Sequence, residues 1–146
     1  MIRNALLIVL MAACGPALAA QYPVRLEISA SDVEIEAVFR TAIVAEIEKI
    51  PDVRIEDEGK FGLLVQLIRR PEAGETDDIF ISAVSTSQTV CILEQEPSGR
   101  VVSRQSCTEF LASNTYIGRL DESRKLAQDI VSSFDAYVLN PLREIP

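Results

Sequence analysis

Hydrophobic and polar positions alternate cleanly from Tyr22 to Ala30. Val24, Leu26, Ile28 and Ala30 fall on one side, and Arg25, Glu27 and Ser29 on the other. Period 2 over such a length predicts a strand with one buried and one wet face. The period then changes. Ser31-Asp32-Val33-Glu34 has the S-x-x-E spacing of a capping box, and Ile35, Val38, Phe39, Ala42, Ile43, Ile47 and Ile50 follow at helical spacing until Pro51. This predicts a helix of about 19 residues, with Glu36 and Arg40 paired i,i+4 on its far side.

Five further strands are expected. Asp52–Asp57 is short, with Val53 and Ile55 inward, and Glu58-Gly59-Lys60 turns the chain. Phe61–Arg70 is the most apolar run, with Phe61, Leu63, Val65 and Leu67 on one face and Leu64 and Ile68 on the other. Such a strand is covered on both sides, or covered on one and greasy on the other. Pro71–Asp78 is an acidic loop and Ile79–Thr86 the next strand. Gln88–Phe110 reads as two strands around Glu96-Pro97-Ser98-Gly99-Arg100, with Pro97 at i+1 of a type I turn and Gly99 in the left-handed bulge position.

The segment LASNTYIGRL after Phe110 looks irregular. Asp121 then caps a second helix whose apolar stripe is Leu126, Ala127, Ile130, Val131, Phe134 and Val138, ended by Pro141. The order is β-α-β-β-β-β-β-α. It implies an α+β, two-layer domain: a mostly antiparallel sheet with two long helices packed on one face.

The first twenty residues stand apart. MIRNALLIVLMAACGPALAA has a basic Arg3, an apolar run from Ala5 to Cys14 and an Ala17-Leu18-Ala19 cleavage motif, the marks of a secretory signal peptide. Residues 1–19 are read as that leader and 20–146 as one exported domain, periplasmic and without a membrane span. In the alternative reading, Leu10–Cys14 resembles a lipobox, Cys14 is lipidated, and the product is a membrane-anchored lipoprotein.

Loss of the leader removes Arg3 and no acid, so the formal net charge falls from −8 to −9. An acidic chain of this kind is a poor match for nucleic acid or anionic lipid. Cys91 and Cys107 remain, and an even count in an exported chain favours a disulfide. The turn assignment places Cys91 opposite Gln105 and Cys107 one diagonal step away, so a bridge requires a changed register or a further irregularity.

The sequence has no histidine, which removes imidazole bases and histidine metal sites. Phosphate-loop, dinucleotide and nucleophile-elbow motifs are also missing. The acidic clusters Glu56-Asp57-Glu58 and Glu72/Glu75/Asp77/Asp78 do not alternate as a calcium loop does. No catalytic, cofactor-binding or metal-ligating residue is assigned, and no cofactor is expected.

The run FRTAIVAEIEKIPDVRIEDE, then LLVQLIRR, then DESRKLAQDIVSSF is similar in order to small bacterial envelope domains. These are the amino-terminal domain of TolB and the LpoB and CsgG lipoprotein folds. The resemblance implies an interaction module of the cell envelope, and it carries no catalytic residue across. The reading is therefore a non-catalytic accessory or protein-binding domain whose partner is another envelope protein, contacted through an unpaired sheet edge or the acidic loop. The alternative is a small-molecule or lipid carrier with a pocket between sheet and helices.

Overall fold

The computed structural model describes residues 22–69, 78–99 and 101–145. The expected leader, Cys14 and nearly all of the acidic loop lie outside them. Strand β1 (Tyr22–Ala30) leads into helix α1 (Val33–Ile47), then β2 (Val53–Ile55), β3 (Phe61–Arg69), β4 (Asp78–Gln95) and β5 (Val101–Arg119). A 3₁₀ turn at Leu120–Glu122 precedes α2 (Ser123–Phe134). A π turn (Asp135–Leu139) and α3 (Asn140–Arg143) continue it.

The sheet order is β2-β1-β3-β4-β5. β1 pairs parallel with both β2 and β3, while the long β3–β4 and β4–β5 ladders are antiparallel. The α+β architecture thus stands, with five strands where six were expected. Ile79–Thr86 and the first arm of the hairpin are one strand. The segment LASNTYIGRL is not irregular: it continues β5 to Arg119, pairing along Asp78–Ser85. Its polar residues Ser113 and Thr115 alternate with Ala112, Asn114 and Tyr116. A small, mixed face of this kind gives almost no hydrophobic period to read.

Side chains of α1 and α2 meet the same face of the sheet. Ile35, Phe39, Ile43 and Ile47 from α1 and Leu126, Ala127, Ile130, Val131 and Phe134 from α2 form one buried cluster with Val24, Ile28, Leu63, Val65, Leu67, Ile79 and Ile81. Burial of each large apolar side chain contributes about 1.5–3 kcal/mol.

Three local expectations shift. Ser31 does not cap α1, because its Oγ accepts from the backbone N–H of Arg69 at 3.2 Å. Asp32 caps instead, accepting from Glu34 N–H at 2.8 Å. Asp121 lies inside the 3₁₀ turn, and the Glu122 carboxylate accepts from Arg119 N–H at 3.1 Å. Pro141 does not end the second helix. The π turn widens the helix just before it, and proline then occupies the first turn of α3, where no N–H is needed.

The β2–β3 connection passes across β1, since Ile55 and Phe61 flank Val24 from opposite sides. Gly59 lies on that strand's backbone: a Cβ there would stand 2.4 Å from Arg25 N and 2.5 Å from the Val24 carbonyl carbon. Only glycine permits so close a crossing.

Candidate interaction surface

The space between sheet and helices, where a carrier would need its pocket, is filled. Phe39 and Ile43 of α1 and Ile81 of β4 are fully buried there, beside Leu63 and Ile130. The larger grooves lie elsewhere. One of about 690 Å³ runs along the outer side of α1 past Ala37, Thr41 and Ala45 to Arg124 of α2.

Among the described residues no helix lies on the opposite face of the sheet. Ladder pairing arranges its side chains in rows across β1, β3, β4 and β5. Ile68, Phe80 and Ile117 form one apolar row. Next come Ser29, Gln66, Ser82 and Thr115; then Glu27, Leu64, Val84 and Ser113; then Arg25, Gly62, Thr86 and Phe110. Gln88 and Thr108 follow, and Val90 with Ser106 beyond them. Ile117 and Phe110 are 60% and 62% exposed. Of the two states allowed for the apolar strand Phe61–Arg70, covered on both sides or greasy on one, the second holds. Across β1, β3, β4 and β5, from the Ile68 row to the Phe110 row, the only charges are Arg25 and Glu27, which pair at 2.7 Å; Lys60, opposite Gln88, and Arg54 of β2, beside Pro23, mark the rim.

The outer half of the β4–β5 hairpin leaves the sheet. β3 ends its pairing at Ser87, so Thr89–Gln95 and Val101–Cys107 form a two-stranded ribbon. Gly99 closes it with φ 85° and its N–H donating to the Glu96 carbonyl at 2.9 Å. Cys91 lies opposite Gln105 and Cys107 opposite Thr89, the register read from the turn. The two sulfurs are nevertheless joined, with a Cα–Cα distance of 5.8 Å. No altered register is needed at the cysteines. A free ribbon twists more than a sheet, which draws one diagonal pair together, and register shifts at Ile92/Glu94 and Glu94/Gln95 locally increase that twist.

β5 is the outer strand of the sheet. From Gln105 to Gly118 its sequence holds one charged residue, Glu109, and no proline. Edge strands are commonly blunted by charge, proline or bulges. Here only Glu109 and the irregularity opposite Ser85/Thr86 serve that end.

The strongest electrostatic cluster ties the C-terminal helix down. The Arg143 guanidinium donates from Nε and Nη2 to both Asp52 carboxylate oxygens (2.7 and 2.6 Å) and from Nη1 to Asp135 at 2.7 Å. It also stands 5.7 Å from the Tyr22 ring centroid. The hydrogen bond from Arg143 holds the Asp52 carboxyl below its ordinary value, against an opposing contribution from burial. The same bond raises the Arg143 pKa. Each of the two carboxylates is held by the one guanidinium, and the cluster clasps α3 to the segment between α1 and β2. The Glu56-Asp57-Glu58 cluster lies on the β2–β3 connection, with Glu56 paired to Arg54. Among the described residues no three potential ligands gather as for a metal ion, and no helix is long and apolar enough to cross a membrane.

Sequence reasoning missed the clasp because Asp52 and Arg143 are 91 positions apart. It missed the Gly59 crossing because a turn glycine looks the same whether or not a strand lies beneath it.

No family model matches the chain, and no curated protein does. Solved structures do. Protein XCC0632 from Xanthomonas campestris, described under the family DUF330, superposes with a TM-score of 0.55 at 12% identity, over 88% of this chain and 92% of its own. The two share a fold. PelC from Paraburkholderia phytofirmans, described as a dodecamer, aligns at 17% identity over 81% of this chain and 92% of its own, with a TM-score of 0.42. The rare lipoprotein B from Shewanella oneidensis aligns at 13% identity over 81% and 98%, with a TM-score of 0.29. These two looser overlays bear on neither fold nor assembly here.

Proposed function

We propose that the protein is a non-catalytic, exported accessory domain of the bacterial cell envelope that binds another envelope protein by adding a strand of that partner to the edge of β5. The observation that carries this is the outer strand itself, 19 residues long and with a single charge between Gln105 and Gly118. Main-chain N–H and C=O groups on such an edge supply affinity to an extended peptide, and alternate side chains supply selectivity. The leader-like first twenty residues and the paired cysteines support the envelope setting. The resemblance in element order to TolB-type and lipoprotein domains supports the binding role.

A photo-reactive amino acid placed at Ser113 of β5 in the native host is expected to give one discrete adduct with an envelope protein. Thr41, on the outer side of α1, serves as the control. Adducts absent from Ser113, or identical from both positions, would overturn the reading. The intact mass of the purified protein separates the two export routes: cleavage near Ala19 or Ala20 gives an unmodified N-terminus, whereas the anchored form carries acyl groups on Cys14.

A further inference from the structure

We infer that the uncovered face of the sheet is the contact between two copies of this chain, packed face to face about a two-fold axis. The inference does not depend on the β5 edge. It joins the row pattern of that face with the charge of the rest of the molecule.

The chain carries 22 acidic and 14 basic residues, so two copies approaching at random repel. The centre of the open sheet face carries no unpaired charge to add to that repulsion. Its rows across β1, β3, β4 and β5, from Ile68 to Phe110, hold one arginine and one glutamate, already paired with each other. Charge returns at its margins, at Asp78 and Arg119 past the apolar row, at Lys60 and Arg54 beside the Gln88 row, and at Arg104 beyond Val90 and Ser106. Depletion of charge with retained aromatic and aliphatic side chains is what distinguishes the centre of an interface from ordinary surface. Serine, threonine and glutamine between the apolar rows offer both donors and acceptors, so the face can satisfy a copy of itself, as a two-fold contact requires.

Size agrees. Strands about 4.8 Å apart and rows about 6.8 Å apart make a plane of roughly 600 Å². Two such planes bury about 1,200 Å², above the ~1,000 Å² that a stable interface needs. Two sheets packed this way interdigitate about 10 Å apart, the arrangement of a β-sandwich. A membrane surface fits less well, because the central rows hold one arginine, already paired with Glu27, and neither lysine nor tryptophan.

Protein expressed in the host from residues 1–146 and purified from the envelope fraction tests the idea by sedimentation velocity at micromolar concentration. A species of twice the chain mass is expected. Ile117→Arg and Phe110→Arg, both at positions already more than half exposed, are expected to weaken dimerisation at least tenfold while the near-UV circular dichroism stays that of the parent. Thr41→Arg, on the far side of α1, is expected to leave it unchanged. A chain that stays monomeric across the micromolar range would overturn the inference. So would a dimer that tolerates both arginine substitutions but is lost in Thr115→Pro, which would assign self-association to the strand edge. A monomer whose Phe110 crosslinks in the host to a different protein would give the face to that partner instead.

Discussion

The β4–β5 hairpin has two halves made of similar residues and held by different means. Its inner half, Asp78–Ser87 against Glu109–Arg119, is paired to β3 on one side and roofed by helices, so that Ile79, Ile81 and Ala83 are buried. Its outer half, Thr89–Gln95 against Val101–Cys107, pairs with no third strand and carries Val90 63% exposed. A lone two-stranded ribbon is marginal in water. The disulfide at Cys91–Cys107 sits in that half alone. The difference teaches that the bridge is a substitute for a core: it appears where burial stops.

The comparison can be pressed from either side. The largest effect is expected in the roofed part. Phe39→Ala removes a side chain with no exposure from beneath α1 and is expected to cost about 3–5 kcal/mol in urea unfolding. If it cost less than 1 kcal/mol, the inner half would not rest on that core. Gly59→Ala follows. A methyl group 2.4 Å from the β1 backbone has nowhere to go, so a loss of about 1–3 kcal/mol or more is expected, read as a fall in the urea midpoint.

The clasp comes next. Asp52→Asn is expected to cost about 1–2 kcal/mol at neutral pH, a figure discounted for the partial exposure of both partners. Its pH signature follows from the sign of the shift. Asp52 titrates lower when folded than its ordinary 3.8. Its contribution is therefore complete above that value and is lost as pH falls through the depressed folded pKa. The melting temperature of the parent is expected to drop more steeply than that of Asp52→Asn on acidification below about pH 4. Parallel curves would remove the clasp from the account.

The smallest global effect is expected from the bridge. Cys91→Ser with Cys107→Ser is expected to change the midpoint of global unfolding by less than about 1 kcal/mol, since the ribbon adds little to the core, although closing a loop of this size supplies on the order of 3 kcal/mol where the loop unfolds with the domain.

What was legible in the sequence follows the same division. β1, β3 and the apolar stripes of α1 and α2 were legible because one buried face imposes a period of 2 or 3.6 on each, although α1 ends at Ile47, 15 residues long, short of the expected stop at Pro51. The inner part of β5 was lost because the side it turns inward carries Ala112, Asn114, Tyr116 and Gly118, of which Tyr116 and Gly118 meet α2, and so mixed a set gives no clear hydrophobic period. The turn at Gly99 and the register at the cysteines were local enough to read. Whether that register allowed a bridge was not, because the ribbon's twist depends on its having no neighbouring strand. The open face was half legible: Leu64 and Ile68 announced a second apolar side to β3, but only ladder pairing shows that Phe80, Val84, Phe110 and Ile117 join it.

The division of the hairpin is tested most directly by amide hydrogen exchange on the oxidised and the reduced protein. Reduction is expected to accelerate exchange in residues 89–95 and 101–107 by a hundredfold or more, with 61–69 and 79–87 as protected as before. Ribbon amides that exchange equally slowly in both forms, or a loss of protection spread evenly over the whole sheet, would contradict it.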